Sequence, residues 1–88
     1  MDKLKEAIVR AEIVQRLLDD ENINSAFLNI EGDIYKLWTS TKSDESDKRE
    51  EIYREYRGLM ALKARLQRYV NEGKKAQEEV AHGRKRTP

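Results

Sequence analysis

The sequence has no cysteine, one proline and four glycines among its 88 residues. Without cysteine, disulfide scaffolds and thiolate metal sites are excluded, and a reducing compartment suits the chain. No apolar run approaches the ~20 residues that span a bilayer, and the N-terminal residues lack the apolar region of a signal peptide. These absences predict a cytoplasmic protein with no membrane partner.

Signals for β-structure are missing as well. The single proline, Pro88, ends the chain, no stretch alternates apolar and polar residues, and no Asn-Gly or Asp-Gly turn occurs. Charged residues make up 40% of the chain, and Glu, Lys, Arg, Leu, Ala and Gln favour helices. The sequence therefore predicts an all-α fold.

Apolar residues recur at steps of four and three, the pattern of helices that pack side by side. Two polar interruptions, at 19–22 and 39–47, are rich in side chains that cap helix ends. Asp20 and Asn22 are the candidate N-caps after the first interruption. The pattern predicts one domain over 1–80, with helices at 3–19, 22–41 and 44–80 and a flexible basic tail at 81–88.

The helical segments on either side of the second interruption are equally long. Residues 3–41 and 44–80 would each extend on the order of 55–58 Å. This predicts a long antiparallel helical hairpin whose first arm is broken near 19–22. Because a two-helix hairpin leaves apolar surface uncovered, we expect a homo-oligomer. A three-helix bundle, with the first helix folded back, is the alternative.

Six residues are predicted to form a protein interface. Five belong to the third helix, whose apolar stripe is wider than one arm covers, and the sixth is Trp38 on the first arm. Trp38 is interpreted either as a plug for the end of the hairpin or as an anchor for a partner, since Trp and Tyr dominate interface hot spots. Tyr35 is expected to join an aromatic cluster at the same end. The predicted interface residues are Trp38, Tyr53, Tyr56, Leu59, Met60 and Leu66.

Charge is divided unevenly between the halves of the chain. Residues 1–47 contain six Lys/Arg and eleven Asp/Glu, whereas residues 48–88 contain twelve and six. One interpretation is that the arms attract each other. The other is a basic surface for nucleic acid. The candidate contacts are Lys63, Arg68, Lys74, Lys75, Arg84, Lys85 and Arg86, with Arg57 and Arg65 on the same helix.

Catalytic chemistry has little support in the sequence. The only histidine, His82, falls in the predicted tail, where no neighbour would orient it. No phosphate-binding glycine loop, nucleophile motif or zinc spacing is present. We expect no enzyme activity, and no catalytic, cofactor-binding or metal-binding residue is predicted. Gly73 either permits a close approach of two helices or marks a frayed region.

Several short motifs follow one another along the helical part of the chain. They are Arg10-Ala11-Glu12, Leu17-Leu18-Asp19-Asp20, Ala26-Phe27, Trp38 with Thr41, Asp44, Arg49-Glu50, Leu62-Lys63 and Gly73. Their order resembles small uncharacterised helical proteins of tailed bacteriophages, encoded near head and packaging genes. The resemblance covers roughly residues 7–80. Those proteins often have a proline after the Leu-Leu-Asp segment, where this chain has Glu21-Asn22.

This resemblance implies a non-enzymatic phage protein that acts in particle assembly or DNA packaging, located in the host cytoplasm with virion association. Its partners would be other copies of itself and other phage structural or packaging proteins. Two alternatives stay open. One is a small nucleic-acid-binding hairpin that uses the basic C-terminal half. The other is a phage-encoded inhibitor of a host protein.

Overall fold

The computed structural model describes the backbone of residues 2–86 and the side chains of residues 2–83. Three helices follow one another: α1 (Lys3–Asp19), α2 (Glu21–Ser40) and α3 (Ser46–Arg86). No strand occurs within residues 2–86. The all-α prediction is confirmed.

The first arm of the hairpin is broken at a single residue, Asp20. Its backbone N–H donates to the carbonyl of Leu17 at the end of α1. Its carboxylate accepts from the backbone N–H groups of Asn22 (2.8 Å) and Ile23 (3.3 Å) at the start of α2. One aspartate therefore terminates one helix and N-caps the next, and its extended backbone (φ −75°, ψ 119°) produces the break.

A short turn at residues 41–45 connects α2 to α3. Thr41 closes α2, because its backbone N–H and its hydroxyl both donate to the carbonyl of Trp38 (3.2 and 2.7 Å). Glu45 shapes the other side of the turn, where its carboxylate accepts from the backbone N–H of Lys42 at 2.9 Å. The predicted boundaries here, 41 and 44, fall one residue beyond the end of α2 and two residues before the start of α3.

The end of α3 differs from the prediction. The helix continues to Arg86 instead of stopping at residue 80, so residues 81–86 of the predicted tail are helical. The apolar periodicity does end near Val80, but four of the next six residues, Ala81 and Arg84-Lys85-Arg86, are strong helix formers, and no proline interrupts the segment. Cations near a helix C-terminus also interact favourably with its dipole. Residues 87 and 88 lie outside the described part of the chain.

Both helices of the first arm pack along α3, and the two halves of this interface differ in width. The backbones of α1 and α3 approach closely, whereas those of α2 and α3 do so at few positions. In the α1 half, Gly73 of α3 is buried against Ala11, and a Cβ added at Gly73 would clash with the Cβ of Ala11. Of the two interpretations of Gly73, the structure shows the close approach of two helices.

The α2 half is held apart by large side chains. Ile34 of α2 meets Ile52 and Leu59 of α3 in a small buried cluster. The residues that pack around this cluster, each only partly buried, are Phe27, Trp38 and Met60. Helix separation follows the size of the side chains between the axes, so α2 stands farther from α3 than α1 does.

The molecule is elongated. Its Cα radius of gyration is 19.2 Å and its extents are 69 × 25 × 19 Å, whereas a compact chain of this length has a radius of gyration of about 12 Å. Among the described residues, two ion pairs join the arms: Arg10–Glu72 (3.5 Å) and Lys63–Glu31 (2.8 Å). Their side chains are substantially exposed, so each pair contributes at most about 1 kcal/mol.

Candidate protein-interaction groove

The wide half of the hairpin contains a groove on one flank of the α2–α3 pair. Its volume is about 210 Å³. This is below the roughly 300–1,000 Å³ typical of small-molecule sites, so the groove suits side chains of a protein partner better than a free ligand. The residues that line it are Glu31, Ile34, Tyr35, Trp38, Ile52, Tyr53 and Tyr56.

The floor of this aromatic groove belongs to the core. Ile34 and Ile52 are buried and lie on facing sides of α2 and α3. Leu59 supports them from beneath and is itself only 9% exposed. The sequence-based interface set included Leu59 because it lies in the apolar stripe. The structure places it inside the chain, since a position in the centre of the seam faces the other arm.

The rim of the groove is formed by tyrosines that the fold leaves exposed. Tyr35 on α2 is 67% exposed, and Tyr53 and Tyr56 on α3 are 48% and 43% exposed. Arg57 lies 5.9 Å from the ring centroid of Tyr53, a weak cation–π contact at the edge of the rim. Tyrosines in such positions supply large contact area at a low entropic cost.

Trp38 forms the end wall of the groove near the turn. The guanidinium of Arg49 lies over its indole, 4.4 Å from the ring centroid. The Nε of Arg49 is buried and has no hydrogen-bond acceptor among the described residues, so stacking is the interaction that holds this side chain. Trp38 is half-buried. It packs on the core, as expected of a plug for the end of the hairpin, and it also lines the accessible wall of the groove. Its role as an anchor for a partner stays a prediction.

Sequence reasoning gave Arg49 no role at this site, although the signal was present. Arg49 lies three residues before Ile52 on α3 and so projects from the same side of the helix towards the groove. A cation at a seam position next to a turn that carries the only tryptophan indicates a cation–π contact. Apolar periodicity alone does not reveal this contact.

The other two residues of the predicted interface flank the groove less directly. Met60 is partly buried against the Ile34–Ile52–Leu59 cluster, and Leu66 is half-buried farther along α3. Of the six predicted residues, three line the groove: Trp38, Tyr53 and Tyr56. Tyr35, expected only as a member of the aromatic cluster, lines it as well.

The turn next to the groove has its own polar network around Glu45. The hydrogen bond from the Lys42 backbone N–H, and then that from the Lys48 ammonium at 3.4 Å, lower the pKa of the Glu45 carboxyl below its usual 4.5. The ionised form of Glu45 therefore stabilises the turn that holds Trp38 next to α3.

The residues predicted to contact nucleic acid differ in their surroundings, as far as the structure describes them. Lys63 is engaged in the ion pair with Glu31. Arg68, Lys74 and Lys75 are exposed on α3. The side chains of residues 84–86 lie outside the described part of the structure, so their predicted contacts stay predictions.

Metal sites and membrane-spanning helices are absent from the described residues. Within the described residues, no three metal-ligating side chains come together, and His82 is exposed. None of the helices over residues 2–86 is both long enough and apolar enough to traverse a bilayer.

Comparison of the chain with protein-family models, with curated proteins and with solved structures gives no significant match. The functional assignment therefore depends on the groove and on the chemistry of the exposed residues.

Proposed function

We propose that this chain is a non-enzymatic protein-interaction module that acts in the assembly of bacteriophage particles or in DNA packaging. The observation that carries the proposal is the aromatic groove, an apolar concavity walled by one tryptophan and three tyrosines on a rigid helical hairpin. Trp and Tyr are enriched at the energetic centres of protein interfaces. The resemblance to small proteins of tailed phages supplies the assembly context.

The size and lining of the groove support a macromolecular partner. Glu31 is the one charged residue of the lining, and Lys63 already pairs with it. A partner therefore meets an apolar surface whose single carboxylate is neutralised within the chain. Such a site favours aliphatic or aromatic side chains projected from a helix, the usual occupants of a groove between two helices.

Site-specific photocrosslinking tests this proposal. A photoreactive phenylalanine analogue replaces Tyr35 in the full chain, in bacteria that produce the phage encoding it, and Arg65 on α3 is the exposed control position. We expect protein adducts from position 35 that include a particle or packaging component, and few from position 65. Absence of adducts at position 35, or adducts only with one host enzyme, would contradict the proposal; the second result would support the inhibitor alternative.

Nucleic-acid binding is a second candidate function, favoured by the distribution of charge on α3. No acidic residue occurs between Glu55 and Glu72. Arg57, Arg68 and Lys75 are exposed and lie eleven and seven residues apart, close to whole numbers of helical turns. They therefore form one row about 27 Å long on a single face, the kind of row that can follow a phosphate backbone.

Fluorescence anisotropy with labelled duplex DNA tests this second function. If the row neutralises three phosphates, the dissociation constant should rise about 40-fold between 50 and 200 mM salt. Arg57→Gln together with Arg68→Gln should weaken binding and flatten the salt dependence, whereas Arg16→Gln on α1 should change neither. Binding that does not depend on salt would exclude this row as a DNA contact. Equal effects of the α3 double substitution and of the α1 control substitution would exclude it as well.

A further inference from the structure

The accessible surface of the chain is larger than that of a compact monomer of the same mass. Its accessible area is 7318 Å² at 10.4 kDa, whereas a compact monomer of that mass exposes about 5,400 Å². The excess, roughly 1,900 Å², is about twice the ~800 Å² that each partner contributes to a standard interface. Burying one face of the hairpin would remove much of this excess.

Of the ten large apolar side chains that are exposed among the described residues, seven lie on α2 or on the part of α3 that faces it, and three lie on α1. The exposed fractions of the three rim tyrosines add up to about 1.6 complete side chains. At roughly 200 Å² per aromatic side chain, this is on the order of 320 Å². Leu28 lies two helical turns before Tyr35 on the same face of α2 and is 66% exposed. The exposed area of Leu28 and the three rim tyrosines together lies within the 300–600 Å² that is typical of a functional apolar patch.

The charges of the two helices that border this patch are complementary. The α2 helix carries one Lys against three acidic residues, and α3 over residues 46–66 carries six Lys/Arg against four acidic residues. The net charges are −2 and +2. When two copies pack about a two-fold axis parallel to the hairpin, each α2 lies beside its own α3 and beside the α3 of the other copy. Every neighbouring pair then has opposite net charge.

From these observations we infer that the aromatic groove is the interface of a symmetric homodimer, in which the α2–α3 halves of two copies form a four-helix arrangement. The inference rests on the proposed function, because it names a second copy of this chain as an occupant of the same groove. An isologous interface needs one patch that is complementary to itself. The groove provides one, with an apolar centre between an acidic and a basic helix.

The test is the mass of the full chain in solution, measured by sedimentation equilibrium over a concentration series. The wild type should form a dimer, and Leu28→Glu and Tyr35→Glu should each raise the dissociation constant at least about 30-fold, the loss expected for one hot-spot residue. Both side chains are about two-thirds exposed, so the variants should keep the helical circular dichroism of the wild type.

The matched control is Ile13→Glu. Ile13 on α1 is also exposed (57%), but it lies outside the groove, so the dimer should survive. The single tryptophan gives a second measurement, because Trp38 lines the groove and its emission should shift to longer wavelength as the dimer dissociates on dilution.

A wild type that stays monomeric at its highest soluble concentration would overturn the dimer. A dimer that Ile13→Glu dissociates and Leu28→Glu does not would also overturn it, because the interface would then be on α1. Neither result removes the proposed function, since a monomer whose groove crosslinks to a particle protein would still be an interaction module. Conversely, a dimer without particle adducts would preserve the inference and refute the assembly role.

Discussion

Replacing Gly73 with alanine is the most direct test of how the two arms meet. In an exposed helix interior, Gly→Ala stabilises by about 0.8–1.0 kcal/mol. At Gly73 we expect the opposite sign, because the new methyl group would clash with the Cβ of Ala11 and lie 3.1 Å from the carbonyl oxygen of Ala7. Neither atom belongs to a flexible side chain, so relief requires the helix backbones to separate.

The magnitude follows from two opposing contributions. Overpacking a closely fitted contact costs typically 1–3 kcal/mol, and we expect the upper end because Ala11 cannot rotate away. After the propensity gain is subtracted, Gly73→Ala should lower the free energy of unfolding by about 2 kcal/mol. For a domain of this size that is a fall in Tm of roughly 8–16 °C.

Gly58→Ala is the matched control on the same helix. Nothing lies within 4 Å of a Cβ built at Gly58, so this variant should show the propensity gain alone, with a Tm higher by roughly 3–8 °C. Urea and thermal unfolding are followed by circular dichroism at one chain concentration, because association shifts apparent stability.

A second substitution separates the steric contribution from other effects. Adding Ala11→Gly to the Gly73→Ala chain removes the clashing methyl group, so the two substitutions should show a favourable coupling of about 1–3 kcal/mol in a double-mutant cycle. Equal stabilisation by Gly73→Ala and Gly58→Ala, or no coupling with Ala11→Gly, would mean that α1 does not pack on α3 at this point.

Three further predictions concern the turn, the break and the core. The pKa of the Glu45 carboxyl is lowered in the folded chain, so its ionised form stabilises the fold above the unfolded pKa. This contribution is lost as the pH falls through the folded pKa. As the pH is lowered from about 6 to about 3, the urea midpoint should therefore fall less for Glu45→Gln than for the wild type. Asp20→Ala should cost about 1 kcal/mol and speed amide exchange at the start of α2, whereas Asp20→Asn should retain the cap. Leu59→Asp should abolish the cooperative fold, since it buries a charge at a cost of several kcal/mol, whereas Leu62→Asp, at a side chain that is 51% exposed, should leave helicity intact.

The breaks between helices were predictable because they are encoded by single side chains with specific chemistry. An aspartate followed by a new apolar period indicates a cap, and Asp20 caps α2 as that rule requires. The end of α3 was not predictable in the same way. Loss of apolar periodicity shows where packing ends, but a helix made of strong helix formers continues past its last packed residue until something stops it.

The groove was only partly accessible from the sequence. Helical spacing placed Trp38, Tyr53 and Tyr56 at one end of the hairpin, but it does not determine which stripe residues face the opposite arm. Leu59 was included in the predicted interface for this reason. Which residues of the stripe face the opposite arm depends on the distance between α2 and α3, and that distance is set by several large side chains acting together.

The narrow and the wide half of the hairpin differ in the size of the side chains between their helices. Where α3 has Gly73, α1 packs closely against it. Where α2 presents Ile34 and Trp38, the axes are held apart, and two helices at that spacing leave the seam between them open along one flank. Exposure of apolar surface to water costs roughly 25 cal/mol for each Å², so a further pair of helices placed over the groove would lower the free energy of the wide half. The inferred association through the α2–α3 half would therefore be a consequence of where the chain places its large and its small residues.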